Sequence, residues 1–146
     1  MTHFETFSAE EIDLLTQAPA WVTVLVAGAD QQISDRETAW ATKLVNYRTF
    51  TAPEELQPYY EAVANRFEAD LVGLTEDWTP AAADALIADL ADLKPLIERL
   101  EPKIAELLKT SWRSLAQRVA EAEGGLLGFG KTSMAERAVV ELSMLD

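Results

Sequence analysis

The string Gly125-Leu126-Leu127-Gly128-Phe129-Gly130-Lys131-Thr132 satisfies G-x-x-x-x-G-K-[ST]. At this spacing backbone N–H groups cradle phosphates, a lysine reaches the β- and γ-oxygens and a hydroxyl holds magnesium. Gly125, Gly130, Lys131 and Thr132 are the residues that would carry such chemistry. The loop works where it joins a buried strand to a helix, and here the apolar spacing predicts a helix before it and about one helix after it. The competing role is structural. The glycines stop one helix, Leu126, Leu127 and Phe129 pin the turn to the core, and Thr132 or Ser133 caps the next helix. Nucleotide binding is therefore the alternative reading, and a strand before Gly125 is the feature that would decide for it.

A second constellation, Asp30-Gln31-Gln32-Ile33-Ser34-Asp35-Arg36-Glu37, is an acidic turn entering a helix. As a calcium loop it fails, because the sixth position is Asp35 rather than glycine and the twelfth is Ala41 rather than glutamate. Oxygen-rich turns still hold hard cations when carboxylates converge, and Asp30 with Glu37 supplies a start. Against that, Asp30 can satisfy the turn backbone while Glu37 closes a capping box with Ser34.

Composition removes most other chemistry. The chain has 146 residues with 12 basic and 25 acidic side chains, a formal charge of −13, and no cysteine. Disulfides, thiolate metal sites and cysteine nucleophiles are excluded. The lone histidine, His3, stands on an N-terminal segment expected to be mobile, which removes Ser-His-Asp triads and multi-histidine metal sites. Acid excess disfavours nucleic acid, whose phosphates are bound by clustered Lys and Arg. The apolar stretch from Ala18 to Ala29 is short of the roughly 20 residues a spanning helix needs, and no basic region resembling the start of a signal peptide precedes it. These features predict one soluble domain over residues 1–146, cytoplasmic, with no membrane span.

The elements that must position these turns read as helices. Ser8 and Glu11 form a capping box, after which Ile12, Leu15, Ala18, Val22, Leu25 and Val26 recur at helical spacing to Ala27. The run from Trp21 to Val26 is β-branched enough for a strand but has no second strand to pair with. A second helix is expected from about Asp35 to about Arg48, with Trp40, Ala41, Leu44 and Val45 on one face. A third starts near Pro53, bends at Pro58 and carries Leu56, Tyr60, Val63, Phe67 and Leu71. From the Thr79-Pro80 cap, a seam of Leu86, Leu90, Leu93, Ile97, Leu100, Ile104 and Leu107 continues, after a one-residue shift, as Leu108, Trp112, Leu115 and Val119. Pro95 and Pro102 fall outside that seam and predict a kinked helix or two helices nearly in line. Ser133 and Glu136 cap a last helix, with Leu142 and Leu145 inward. The four tryptophans, Trp21, Trp40, Trp78 and Trp112, are expected to anchor helix contacts.

The two turns are alike: each follows a helix and opens another with Ser-x-x-Glu, at Ser34–Glu37 and at Ser133–Glu136. On the Asp30-to-Glu37 turn and the Gly124-to-Glu136 loop the chain resembles the tellurite-resistance TerB-like family of bacterial helical domains. The resemblance implies a compact all-α bundle of about six helices with a pseudo-twofold repeat, and an acidic site for Ca²⁺ or Mg²⁺. Carried over by position, the metal candidates are Asp30, Glu37 and Glu136. It also implies a non-enzymatic role in tellurite or general chemical stress. A protein partner is expected, with the chain a monomer or weak dimer, depending on whether Leu126, Leu127 and Phe129 fold onto their own helices or form an exposed patch.

Overall fold

Ser8 starts the first helix as its spacing predicts. Its hydroxyl accepts from the Glu11 N–H at 3.1 Å while the Glu11 carboxylate accepts from the Ser8 N–H at 2.9 Å, satisfying two of the free donors of a helix start. This computed structural model describes residues 2–28, 35–76, 78–124 and 141–146. Helix α1 spans Ala9–Ala27, α2 Asp35–Thr51, α3 Gln57–Ala64, α4 Phe67–Thr75, α5 Pro80–Ala91, α6 Lys94–Glu98 and α7 Pro102–Gly124. Short 3-10 turns occupy Thr2–Phe4, Glu54–Leu56 and Ser143–Leu145. The fold is all-α, with no strand among the described residues.

The strand-like run from Trp21 to Val26 lies within α1, and every residue from Ala18 to Ala27 is buried. A helix that is apolar all round is one enclosed on all sides, and α1 packs against α2, α3, α4, α5 and α7. Pro19 sits inside it and has no N–H to give the carbonyl of Leu15. The Tyr59 hydroxyl takes that place, donating to the Leu15 carbonyl at 2.7 Å and accepting from the Trp112 indole N–H at 3.0 Å. Burial first, and then the neighbouring Tyr60, push the Tyr59 phenol well above its ordinary value, so it stays a protonated donor.

Proline decides where the later helices break. Pro58 lies in the first turn of α3 rather than kinking a longer helix, and the segment divides instead at Asn65 and Arg66. The segment expected to be one kinked helix or two divides into α5, α6 and α7, because Pro95 and Pro102 each stand in a first turn, where the missing N–H has no intrahelical partner to lose. The apolar seam survives the breaks. Leu86, Leu90, Leu93, Ile97, Leu100, Ile104, Leu108, Trp112, Leu115 and Val119 are all buried, and Leu107 is only half-buried, as the one-residue shift requires. Thr79 caps α5 by accepting from the Ala82 N–H at 3.1 Å.

The N-terminal segment is held rather than loose. Phe4 is buried and stacks on Tyr59 with ring centroids 5.8 Å apart. Arg99 lies over the Phe7 ring at 4.4 Å, pairs with Glu11 at 2.6 Å and donates to the Thr6 carbonyl at 3.0 Å. At the other end Leu142 and Leu145 are buried as expected, Leu142 with φ of 51°. Lys94 and Arg113 bond to Asp146. Trp21 and Trp112 are buried and Trp78 is half-buried, but Trp40 is 42% exposed.

Candidate functional site

Asp30, Glu136, Gly125, Gly130, Lys131 and Thr132 lie outside the described residues, as do Leu126, Leu127 and Phe129 and both turns that carry the internal likeness. Glu37 belongs to the first turn of α2. Helix α7 leads into this loop, running to Gly124, so the strand that a phosphate-binding loop needs is not there. Among the described residues no group of three His, Asp or Glu side chains is arranged to hold a metal. A cleft of about 650 Å³ is lined by His3, Glu54, Glu55, Gln57, Pro58 and Glu61. Its Glu55 is held by Lys103 at 3.1 Å, and its carboxyl lies below the ordinary glutamate value through a backbone hydrogen bond and then that lysine.

The feature that stands apart is helix α2. At 100° per residue its inward stripe is Ala41, Val45 and Arg48, all buried. A second stripe, Arg36, Trp40, Lys43, Tyr47 and Phe50, advances by steps of four and three on the opposite side. Its members are exposed, Trp40 by 42%, Tyr47 by 57% and Phe50 by 67%. Tyr47 and Phe50 meet edge to face, with ring centroids 5.1 Å apart and planes at 72°, a geometry that aromatic pairs prefer. Between Glu37 and Glu54 the sequence has no acidic residue, so this outer face is apolar with exposed Lys43 in its middle and Arg36 near its start.

Arg48 holds that face in place from behind. Only 8% exposed, its guanidinium donates to the Tyr60 hydroxyl at 3.0 Å, the Ser111 carbonyl at 2.6 Å and the Ser114 hydroxyl at 3.0 Å. Tyr60 in turn donates to the Ser111 hydroxyl at 2.7 Å, and the Arg48 cation lies 5.5 Å from the Tyr60 ring centre. These contacts are neutral acceptors and a π-face. An arginine can sit in such a shell because it keeps its charge and its planar fork serves several acceptors at once. One side chain thereby ties α2 to α3 and α7 and sets the angle at which Trp40, Tyr47 and Phe50 leave the body.

Sequence reasoning placed Trp40 on the inward face with Ala41, Leu44 and Val45, and it missed Tyr47, Phe50 and Arg48. The heptad step from Trp40 to Tyr47 and on to Phe50 was the available signal. It was masked because Ala41 and Val45 make a second, equally regular apolar stripe. Compared with known proteins, the chain matches no family model, no curated protein and no solved structure.

Proposed function

We propose that the protein is a non-enzymatic helical module that works by binding another polypeptide on the outer face of α2. The observation that carries this reading is the row of Trp40, Tyr47 and Phe50, three aromatic rings exposed on one face of a helix anchored by a buried arginine. Aromatic side chains supply large contact area with few rotatable bonds and are enriched in the buried centres of interfaces. The lack of acidic residues between Glu37 and Glu54 leaves this stretch free of the carboxylates that give the chain its charge of −13.

The test is a photo-crosslinker, benzoylphenylalanine, placed at Tyr47 and, as a control, at exposed Asp89 on α5. Adducts should form from position 47 and not from position 89, and should disappear when Trp40→Ser and Phe50→Ser are combined. The partner identified by mass spectrometry, once purified, should bind Phe50→Ser at least tenfold more weakly than wild type. Equal adducts at both positions, or none at 47, overturn the reading.

The setting follows from the resemblance to tellurite-resistance TerB-like domains: a bacterial, cytoplasmic component of the response to tellurite or other chemical stress. No described helix is long and apolar enough to cross a membrane. The same resemblance supplies a weak site for Ca²⁺ or Mg²⁺ at Asp30, Glu37 and Glu136. An all-carboxylate donor set, in a chain without thiols, is of the kind hard cations take. Titration calorimetry with both ions should show binding that Asp30→Asn removes. Absence of heat with either ion ends the metal part and leaves the docking part standing.

A further inference from the structure

We propose that residues 142–146 are the resident ligand of a peptide-binding groove built by α5, α6 and α7. The groove takes a partner peptide of the same pattern, two leucines three apart followed by an acidic residue. The seated segment itself shows what fits. The Leu145 N–H donates to the Leu142 carbonyl at 3.0 Å and the Asp146 N–H to the Ser143 carbonyl at 3.1 Å. In such a 3-10 turn, side chains three residues apart lie one above the other. Leu142 and Leu145 share the inward side, 0% and 2% exposed, whereas Ser143 and Asp146 are exposed. The turn packs on α5.

Two cations fasten the segment from outside it. Arg113 of α7 donates through Nε to the Glu141 carbonyl at 2.9 Å, and its guanidinium pairs with the Asp146 carboxylate. Lys94, the first residue of α6, donates to the Asp146 main-chain oxygen at 2.8 Å. The grip thus falls on main-chain oxygens and one carboxylate, which any peptide of this pattern offers. Leu142 shows that the site imposes the shape. At φ 51° and ψ 47° it is the one non-glycine with positive φ among the described residues. An L residue holds that conformation only where its surroundings over-determine it. The segment is therefore held as a bound ligand is, by the groove rather than by its own backbone preference. A short turn fastened by exposed ionic bonds opens locally without the rest of the fold. Being part of the chain, it competes at high effective concentration, so a free peptide enters when the resident segment is released.

The test is fluorescence anisotropy of a fluorescein-labelled peptide with the sequence of residues 141–146, titrated with the full chain to millimolar concentration. Wild type should bind it weakly, because its own segment fills the groove. A chain carrying both Leu142→Ser and Leu145→Ser should bind at least tenfold more tightly, and adding Arg113→Glu should remove that gain. Asp146→Lys, an exposed change that keeps both leucines, should give a several-fold gain with an unchanged helical signal, so the result does not depend on the double variant folding. The same peptide with serine for both leucines should not bind. Binding by Asp146→Lys no tighter than by wild type, a gain indifferent to Arg113→Glu, or equal binding of the serine peptide overturns the proposal. Adding Phe50→Ser to Asp146→Lys should leave binding unchanged. Loss of binding there would place the peptide on the outer face of α2, ending this proposal and leaving the α2 reading standing.

Discussion

Helices α1 and α2 are of similar length, Ala9–Ala27 and Asp35–Thr51, and both are rich in aromatic and aliphatic residues, yet they meet water in opposite ways. From Ala18 to Ala27, α1 shows no side to solvent. Helix α2 buries Ala41, Val45 and Arg48 and leaves Trp40, Tyr47 and Phe50 outside. Their polar groups differ in the same sense. Thr23 in α1 donates back to the Pro19 carbonyl at 2.8 Å, so even its hydroxyl is satisfied within the helix. In α2 the one buried cation reaches across to α3 and α7. Apolar content alone thus says that a helix has something to cover, and the neighbours decide which side gets covered.

The largest effect expected from breaking this contrast is at Trp112, which closes over α1 through Tyr59. Trp112→Ala should cost about 3–5 kcal/mol in chemical denaturation, as deletion of a fully buried indole leaves a cavity. Gly28→Ala should cost about 1–3 kcal/mol, because a Cβ there would overlap the Trp78 indole and force the ring away from the end of α1. Tyr59→Phe strands the Leu15 carbonyl and the Trp112 N–H, at a cost of about 1–3 kcal/mol. That penalty should shrink by about 0.5–1.5 kcal/mol in a Pro19→Ala background, where the restored N–H serves Leu15, and a double-mutant cycle reads the coupling.

Smaller changes sharpen the comparison from the exposed side. The backbone hydrogen bond from Ser8, and then Arg99, hold the Glu11 carboxyl below its ordinary value. A lowered folded-state value stabilises above the ordinary glutamate range and is lost as pH falls through it. Glu11→Gln should therefore be less stable than wild type at neutral pH and converge with it in acid, as thermal melts across that range would show. On α2, Phe50→Ser should change stability by no more than about 0.5 kcal/mol. A large loss at that position would mean that the outer face is part of the core and would end the contrast with α1.

What the chain determined by itself is local. The Ser8–Glu11 box and the Thr79-Pro80 start depend on residues within one turn of each other, so their types and spacing suffice, and the all-α class follows from apolar steps of three and four. The candidate metal carboxylates and the glycine loop were legible only as residue types, since convergence in space is not written in sequence spacing. Tertiary structure decided the rest. Which of two regular stripes on α2 turned inward depended on Tyr60, Ser111 and Ser114 being there to receive Arg48, residues 12 to 66 positions away in the chain. Whether Pro95 and Pro102 bent a helix or began new ones depended on the seam staying buried through each break. Burial is a property of neighbours brought together by folding, and two stripes of equal regularity carry no local sign of which one will find them.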